Sequence, residues 1–521
     1  MNPARRGSTR AWRQPGGAVA AVALLLAAVA PSAPGVLQSV GEIWRQVLPT
    51  AENPNPGIRA SAAARVAAFG REAFPLLREA VESGSLNRAR LALLALAPNA
   101  SDPEASSVLL GALRRPRHEG LDLLAALGLL GAEGDRVAAD LVAVVLDPHE
   151  DSLRRAAAAL AIGGTGIGGA AGSLQTSLRE EKDPIVAAAL GAALGLAGVE
   201  SSIPILEERL ASAGEAPLRA GLLLGLGALG RRAVPSAADL LASDPVLPWV
   251  AALHFPDVPA ADADSPSAEA WRRAIRSSDP SLRAVLYAAL GRGTEDRSRA
   301  VLTEAAVSET DPRVRAALYG SAAARGAMEI LRTVRRVDED EGAAFAALAW
   351  MLEGRSRGLP DTERALLERI GATLSRESED SMEVAALVLG ASRRVESDGA
   401  LGAHVGRIGI GGEAARLARK HLRGELDPRA FSQAVVQAAY RRGVLFENAL
   451  AEAAQRFSLA LLGAGSEYLG RRPELEGSAK GLRAWLGRRR PLPPDSPVYE
   501  DVGMLLERRP LSTVCLRRAS R

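Results

Sequence analysis

The chain has 521 residues, enough for several domains or for one extended array of repeats. Apolar residues make up 47% of it but aromatic residues only 3%, which favours closely packed helices and argues against a β-sandwich. The net charge of +3 is unevenly distributed, because residues 36–470 carry −7 and the two ends are basic. An acidic body does not attract phosphate backbones, so we expect no nucleic-acid partner.

The first segment, residues 1–35, has the three parts of an export signal. Arginines come first, an apolar run follows from Gly16 to Ala30, and small residues and prolines come last. The apolar run is shorter than the roughly 20 residues that span a membrane. We therefore expect cleavage before Val36 and a location in the periplasm or cell envelope. An uncleaved membrane anchor, with the remaining chain facing the periplasm, is the alternative.

One phrase recurs through the middle of the chain: Asp-Pro or a close relative, an Ala/Leu-rich run that often contains Arg, and then Gly. Its copies begin at Asp147, Asp183, Ala216, Asp244, Asp279 and Asp311. The prolines of these six copies are 36, 33, 28, 35 and 32 residues apart, and a period in this range is typical of helical solenoids.

Each part of the phrase has a structural purpose. Asp caps the N-terminus of a helix, Pro fits the first helical turn, and the apolar residues form a buried stripe before Gly ends the helix. A second amphipathic helix follows, as in the segments that begin at Asp135, Ser201 and Arg232. One such hairpin cannot bury its own apolar face, so we expect the hairpins to stack into a continuous core.

The phrase D-P-x-x-R-x-A-L-x-x-L-G, followed by a short helix of the form I-P-x-L, resembles the bacterial HEAT repeat, including the subclass named after phycobilisome lyases. The resemblance covers residues 55–335 well and residues 336–460 loosely. It implies an all-α, right-handed α-solenoid of the HEAT/armadillo type, with roughly ten to twelve stacked hairpins and a concave face lined mainly by the second helix of each hairpin. It implies no particular function, because unrelated proteins share this repeat.

The predicted organisation has five parts. Residues 1–35 are the signal peptide or anchor, residues 36–255 an N-terminal HEAT-like solenoid, and residues 268–460 a C-terminal HEAT-like solenoid with degraded repeats. A Pro/Asp-rich loop at residues 256–267 separates the two solenoids. Residues 461–521 are a basic, Pro/Arg-rich segment, which we expect to wrap the last repeats as an extended tail or to be disordered.

A literal match to G-x-G-x-x-G occurs at Gly164, Gly166 and Gly169. A dinucleotide-binding loop requires a strand immediately before these glycines. Residues 153–162 are instead an Ala-rich run of helical character. We therefore interpret the motif as a turn between paired helices and expect no bound nucleotide.

Two His-Glu pairs, His118-Glu119 and His149-Glu150, lie 31 residues apart at matching places before their Ala/Leu runs. Stacked repeats would bring them close together, and imidazole with carboxylate is a reasonable ligand set for iron. Deoxyhypusine hydroxylase, which is built from HEAT-like repeats, holds its di-iron centre with four such pairs. Only two pairs occur here, and both stand at helix starts, where the helix dipole favours Glu. We expect solvated residues and no cofactor, with a metal-binding protein or metal-dependent enzyme as the alternative.

No catalytic constellation is complete in the sequence. Cys515 lies in the terminal segment far from any histidine, and no G-x-S-x-G motif is present. The arginine clusters of the same segment could touch an acidic partner or a membrane surface, but they lack the interleaved aromatic residues that would stack bases.

The sequence therefore predicts a non-catalytic, exported interaction scaffold that binds a protein or peptide on its concave face. Because the body of the chain is acidic, we expect the partner to offer a basic segment. We expect contact with a membrane only if the N-terminal segment is not cleaved.

Overall fold

The fold is built from helices in the part of the chain that the structure describes. The computed structural model describes residues 39–116, 118, 120–130, 132, 135–165, 168–243, 247–257, 266–331, 339–354, 361–374, 378–462 and 497–508. Within these residues no strand occurs, which confirms the predicted all-α class. None of these helices is both long enough and apolar enough to cross a membrane. The predicted signal peptide or anchor, residues 1–35, lies outside the described residues.

The helices are numbered along the chain from α1 (Val40–Val47), and the even-numbered ones from α2 to α24 form the layer that we call the inner layer. Several begin with an Asp whose side chain accepts a hydrogen bond from a free N–H of the first turn, as the repeated phrase predicts. The inner layer consists of α2 (Pro56–Ala67), α4 (Leu86–Leu96), α6 (Leu121–Gly128), α8 (Ser152–Thr165), α10 (Pro184–Leu196), α12 (Ala216–Ala228), α14 (Pro248–Ala252), α16 (Pro280–Leu290), α18 (Pro312–Arg325), α20 (Glu339–Gly354), α22 (Glu379–Ala391) and α24 (Ile410–Leu422).

The odd-numbered helices from α3 to α23 alternate with them and form the outer layer. They are α3 (Phe74–Ser83), α5 (Pro103–Arg114), α7 (Asp135–Leu146), α9 (Ala171–Glu180), α11 (Ile203–Ser212), α13 (Val234–Ser243), α15 (Pro266–Ile275), α17 (Asp296–Ser308), α19 (Met328–Leu331), α21 (Asp361–Thr373) and α23 (Ser397–Gly402). Short 3-10 helices stand at Leu48–Glu52, Gly70–Ala73, Ala97–Asn99, Gly168–Ala170 and Glu200–Ser202.

The inner helices stack in chain order, since each contacts the inner helix before it and the one after it. This stacking of eleven alternating pairs in the described residues is compatible with the predicted α-solenoid. The right-handed superhelix stays a prediction.

Small residues let the inner helices pack backbone against backbone. A Cβ added at Gly195 of α10 would lie 2.2 Å from the Cα and carbonyl oxygen of Gly225 in α12. Every residue of α10 from Val186 to Leu196 is buried. The outer helices are amphipathic by contrast, and α9 buries only its leucines 174 and 178. The inner layer is therefore covered on both of its sides.

The second cover of the inner layer comes from the C-terminal part of the chain, which we call the return segment. It consists of α25 (Pro428–Arg441), α26 (Phe446–Leu461) and α27 (Pro497–Arg508). α25 packs on the inner helices α20, α22 and α24. α26 packs on the inner helices α10, α12, α14, α16 and α18, and α27 packs on α2, α4 and α6. The chain thus turns back after its last hairpin and follows the inner layer towards its N-terminal end, forming a third layer.

The return segment corrects two expectations. Residues 428–460 are not degraded repeats of the C-terminal solenoid, because α25 and α26 lie across the inner layer rather than extending it. Residues 497–508 are not an extended tail on the last repeats but a helix on the first ones. Pro497 does not prevent this helix, because it occupies the first helical position, where no N–H is needed.

One copy of the repeated phrase starts its helix later than predicted. Asp147 accepts a hydrogen bond from the backbone N–H of His149, and α8 begins only at Ser152. Its capping residue is Asp151, whose Oδ1 accepts from the N–H of Leu153 at 2.9 Å. A turn is inserted here because a second Asp, four residues further on, offers the better-placed cap.

The arginine of the phrase joins successive repeats. Arg155 of α8 pairs with Glu181 before α10, and Arg283 of α16 pairs in the same way with Glu309 before α18. The Arg283 Nε lies 2.9 Å from the Glu309 carboxylate, and its Nη1 donates to the carbonyl oxygen of Ser277. Each such arginine therefore ties its own helix start to the linker of the next repeat.

Candidate functional site

The two His-Glu pairs stand at the starts of the neighbouring inner helices α6 and α8. His118 is half-buried, and its Nε2 lies 3.2 Å from the carbonyl oxygen of Gly84, the residue that follows α3. His149 is exposed, whereas Glu150 accepts a hydrogen bond from Arg154 at 2.5 Å. Glu119 lies outside the described residues. Among the residues that the structure does describe, no group of three or more His, Cys, Asp or Glu side chains is placed to hold a metal ion.

The glycine motif lies where α8 ends. Gly164 is buried inside the last turn of α8, Gly169 is exposed in the 3-10 helix that follows, and Gly166 lies outside the described residues. The residues before the motif are helical, as predicted, and not a strand. α8 continues one residue beyond Gly164, so only part of the motif belongs to the turn.

His254 is a structural histidine at the end of α14. Its Nδ1 accepts a hydrogen bond from the N–H of Ala233 at 3.3 Å, so its Nε2 carries the proton that is donated to the carbonyl oxygen of Leu223 at 2.9 Å. Complete burial lowers the pKa of His254 from 6.5 to about 4. The ring is therefore neutral at neutral pH and satisfied by the backbone. Cys515 lies outside the described residues.

A buried ion cluster fixes α27 to the inner layer at the surface of α2, α4 and α6 that we call the α27 site. The Asp501 carboxylate is fully buried between two arginines that are themselves almost fully buried. The Nη2 atom of Arg59 in α2 lies 2.6 Å from Asp501 Oδ1, and the Nη2 atom of Arg90 in α4 lies 2.6 Å from Asp501 Oδ2. Glu500 lies 3.2 Å from Arg59. Each oxygen of Asp501 is thus bound by one guanidinium group, in charge-assisted hydrogen bonds.

One further donor of each arginine reaches a neutral acceptor in its own repeat. Arg59 Nη1 donates to the carbonyl oxygen of Asn53 at 2.5 Å, and Arg90 Nη1 donates to Asn87 Oδ1 at 2.9 Å. Burial raises the pKa of Asp501 and lowers the pKa of Arg90, while attraction between the two groups opposes both shifts. The two guanidinium groups in direct contact favour the ionised form of the carboxylate.

α26 is held mainly by apolar and aromatic contacts at the surface of α10 to α18, which we call the α26 site. Phe457 is fully buried there. The guanidinium carbon of Arg456 lies 4.8 Å from the ring centroid of Trp249, and that of Arg292 lies 4.4 Å from the ring centroid of Phe446. These are cation–π distances, so both arginines contribute to packing as well as charge.

The turn into α26 fits against a glycine of the inner layer. A Cβ added at Gly320, in the middle of α18, would lie 1.6 Å from the carbonyl oxygen of Val444. Asn448 fixes the same turn, because its side chain donates to the carbonyl oxygen of Tyr440 at 2.9 Å and accepts from the N–H of Leu445 at 3.1 Å. Only a residue without a side chain leaves room for this approach.

A cavity of about 300 Å³ lies where the start of α26 meets the inner layer. It is lined by small residues of α12, α16 and α18 together with Trp350, Phe446, Arg292 and Glu447. Its volume is at the lower end of the range in which proteins bind small ligands. Because residues of both layers line it, the cavity exists only when the return segment is in place.

The residues that hold the return segment could not be found from the sequence. The resemblance to the HEAT repeat implies a binding face lined by the short helices, but the covered face belongs to the Asp-Pro helices. A signal was present, because α10 is apolar all round, and a helix of that kind must be buried on every side. No local pattern distinguishes Asp501 from an ordinary solvated carboxylate.

The fold and the site define an all-helical array whose inner layer binds helices of its own chain. The sequence matches no protein-family model and no curated protein in the comparisons made with it.

Proposed function

We propose that the protein is a non-catalytic interaction scaffold that holds helical protein segments on its inner layer. The observation that carries the proposal is α27 itself, a twelve-residue helix bound across α2, α4 and α6. The contact has features of helix-in-groove recognition, with apolar side chains against the inner layer and carboxylates that fix the position.

The inner layer is suited to helical ligands along most of its length. Together, α26 and α27 contact the inner helices from α2 to α6 and from α10 to α18. The inner helices present Ala, Gly and Leu, so a second helix can approach closely without leaving polar groups unpaired. Covering apolar surface of this kind with a matching helix is favourable, by about 25 cal/mol for each Å² removed from water.

For the α27 site we propose an acidic partner helix. The net charge of the body predicts a basic partner segment. Recognition depends on the charges at the contact surface, however, and there Arg59 and Arg90 face the bound helix. We therefore propose an acidic helix for this site.

The proposal includes the remaining expectations from the sequence. These are a HEAT-type right-handed superhelix, export to the periplasm or cell envelope, and residues 1–35 as a signal peptide or anchor. It includes no catalytic step. The displaced pKa values of His254 and Asp279 follow from burial inside the array, and both residues belong to helix ends.

The test is capture of a partner from the native cell envelope by the immobilised full-length chain. An Asp501→Asn chain, which weakens the hold on α27, is compared with an Asp398→Asn chain, whose substituted carboxylate lies between two partly exposed arginines far from α27 in sequence. We expect one protein to be enriched on the Asp501→Asn chain and to slow amide hydrogen exchange in α2, α4 and α6. No capture by either chain, or protection confined to the outer layer, would contradict the proposal.

A further inference from the structure

α24 is the last helix of the inner layer, and it closes the array on one side. It packs on α22, α23 and α25, and no further inner helix follows it in the part of the chain that the structure describes. Its buried residues are all Gly or Ala, whereas Arg416, Lys420 and Arg423 are exposed along one side of the helix. We call this basic side, together with the loop of residues 403–410, the end face.

Apolar side chains are exposed at both ends of this basic side. A terminal repeat normally presents a polar outer side. Ile408, which is 97% exposed, and Ile410 stand directly before or at the start of α24. Val395 is 80% exposed and lies three residues before Asp398, whose carboxylate binds the other end of α24. Three of the six large apolar side chains that are exposed in the described residues thus lie close together in sequence, which is typical of a contact surface.

The loop before α24 is fixed in the conformation that exposes Ile408. The Nη1 atom of Arg416 donates hydrogen bonds to the carbonyl oxygens of Val405 at 2.8 Å and Arg407 at 3.3 Å. Gly409 has a φ of +123°, which only glycine adopts without strain. The loop therefore lies against the basic side of α24, and the outward position of Ile408 is part of its structure.

The end face is positively charged, although the body of the chain is acidic. Residues 393–423 contain seven Arg and Lys against three Asp and Glu, a net charge of +4. Arg407 and Lys420 are exposed and form no ion pair within the described residues, while Arg423 shares the carboxylate of Asp398 with a second arginine. Glu413 is the exposed acidic residue on the same side of α24. A local excess of cations on an acidic body attracts an anionic partner to this end of the array.

The size of the apolar area favours a bilayer over a protein as that partner. A stable protein interface buries about 800 Å² on each side and centres on closely packed, often aromatic residues. The end face offers separate aliphatic side chains around a basic stripe instead. An anionic bilayer requires only that apolar side chains enter the headgroup boundary and that basic residues lie near it, each of which strengthens binding about fivefold.

We propose that the end face is a membrane-contact site, which inserts Ile408 and Ile410 into the surface of a bilayer that contains anionic lipids. Arg407 and Lys420 bind the phosphate groups of the lipids beside them. The array then stands on the bilayer by its last repeat. This inference goes beyond the proposed function. It also does not depend on residues 1–35, from which alone the sequence predicts membrane contact.

The experiment follows the environment-sensitive fluorophore NBD at position 408 of the full-length chain. The label is attached to Ile408→Cys in a Cys515→Ser background, because Cys515 is the only native cysteine. The control carries the same label at Val307→Cys, since Val307 is an exposed side chain of the outer helix α17. Vesicles of phosphatidylcholine mixed with phosphatidylglycerol should shift the emission of the label at 408 to shorter wavelength and leave the label at 307 unchanged. Vesicles of phosphatidylcholine alone should shift neither.

Charge variants of the chain labelled at 408 test the basic part of the end face. Lys420→Glu should raise the lipid concentration that gives half of the shift by about fivefold or more, and Glu413→Lys should lower it by a similar factor. Lys182→Glu is the matched control, because Lys182 is an exposed lysine in the linker before α10, and it should change nothing. The label reports on position 408 alone, so vesicle binding by another segment of the chain does not produce the shift.

Hydrogen exchange of the unlabelled chain gives a second measurement that needs no substitution. Anionic vesicles should slow exchange in residues 403–410 more than in α17. Circular dichroism checks that the labelled chains fold, which we expect because both labelled positions are exposed.

Four outcomes would overturn the inference. They are no shift at 408 with anionic vesicles, equal shifts at 408 and 307, equal shifts with both kinds of vesicle, and exchange in residues 403–410 that vesicles do not slow. Two others would assign the end face to a different occupant and overturn it as well. A shift at 408 that grows with protein concentration without vesicles would indicate a second copy of this chain, and a shift with soluble polyglutamate would indicate an acidic polypeptide.

Discussion

The α26 site and the α27 site lie on the same inner layer but hold their helices by different forces. α26 is bound by buried aromatic and aliphatic side chains and by a close backbone contact at Gly320. α27 is bound by fewer apolar residues and by a carboxylate between two buried arginines. Apolar burial is strong but discriminates poorly, whereas a buried charge tolerates only its counter-charge. The first contact therefore depends on the fit of apolar surfaces, and the second depends also on the match of charges.

The largest effect is expected when the ion cluster of the α27 site is broken. Asp501→Asn removes the fully buried carboxylate that pairs with both Arg59 and Arg90, which should lower the free energy of unfolding by about 3–5 kcal/mol. Urea denaturation followed by circular dichroism measures this change.

Asp398 offers a matched control, because it too binds two arginines. Arg419 and Arg423 both approach its carboxylate to 2.9 Å, but all three side chains are partly exposed. These ion pairs lower the pKa of Asp398 without burying it. Asp398→Asn should therefore change stability far less than Asp501→Asn does, and equal effects would contradict the role given to burial.

A substitution at the α26 site should have the next largest effect. Gly320→Ala places a methyl group on the carbonyl oxygen of Val444, so the start of α26 has to move, and we expect a loss of about 2–3 kcal/mol. Gly111, in the middle of α5, has no such neighbour, and Gly111→Ala should instead stabilise the helix by about 1 kcal/mol. Opposite signs of the two changes in urea denaturation check the prediction. Stabilisation by both would show that Val444 does not constrain Gly320.

Mild acid should affect the two sites unequally because of His254. Its pKa is about 4 in the folded chain and near 6.5 when unfolded, so between these values the unfolded chain binds a proton that the folded chain does not. The free energy of unfolding should fall by about 2 kcal/mol from pH 7 to pH 5 and stay level, for this group, above pH 6.5. His254→Gln should reduce that slope. Hydrogen exchange at pH 5 should increase first in α12 and α14, and a first increase in α2 and α4 would contradict this assignment.

The smallest effect is expected at an ion pair between repeats. The Glu309 carboxylate is partly buried, which opposes ionisation, yet the hydrogen bonds from Arg283 lower its pKa overall. Its contribution to stability is therefore present above the ordinary pKa of Glu and is lost as the pH falls through the lowered value. Glu309→Gln should cost about 0.5–1 kcal/mol at neutral pH, a loss that high salt reduces. An unchanged midpoint of urea denaturation at low salt would show that the pair does not join the repeats.

Most of the array could be predicted from local sequence. The caps at Asp183, Asp279 and Asp311 and the prolines after them fixed where inner helices begin, because a cap and a first turn depend on neighbouring residues only. The same rule misplaced the start of α8, where Asp147 and Asp151 compete for one helix. Of the predicted ligand pairs around His118 and His149, the structure places Glu150 in an ion pair with Arg154.

The return segment could not be predicted in the same way. α25 and α26 read as degraded repeats, because an amphipathic helix has the same pattern whether it extends an array or lies across it. The position of the return segment was decided by the apolar surface that the outer layer leaves uncovered on the inner helices. That surface exists only after the inner helices have stacked.

The sequence by itself determined most helices of the array and their order, since hydrogen bonds, caps and apolar spacing act over a few residues. Only the tertiary structure decided that Asp501 meets Arg59 and Arg90, which are 442 and 411 residues away in the chain. A buried charge has no local signature, because its partner is chosen by the packing of whole layers and by the cost of leaving any of the three groups alone. The physical reason is one of range: helix formation is settled by neighbours in sequence, and the pairing of buried charges by neighbours in space.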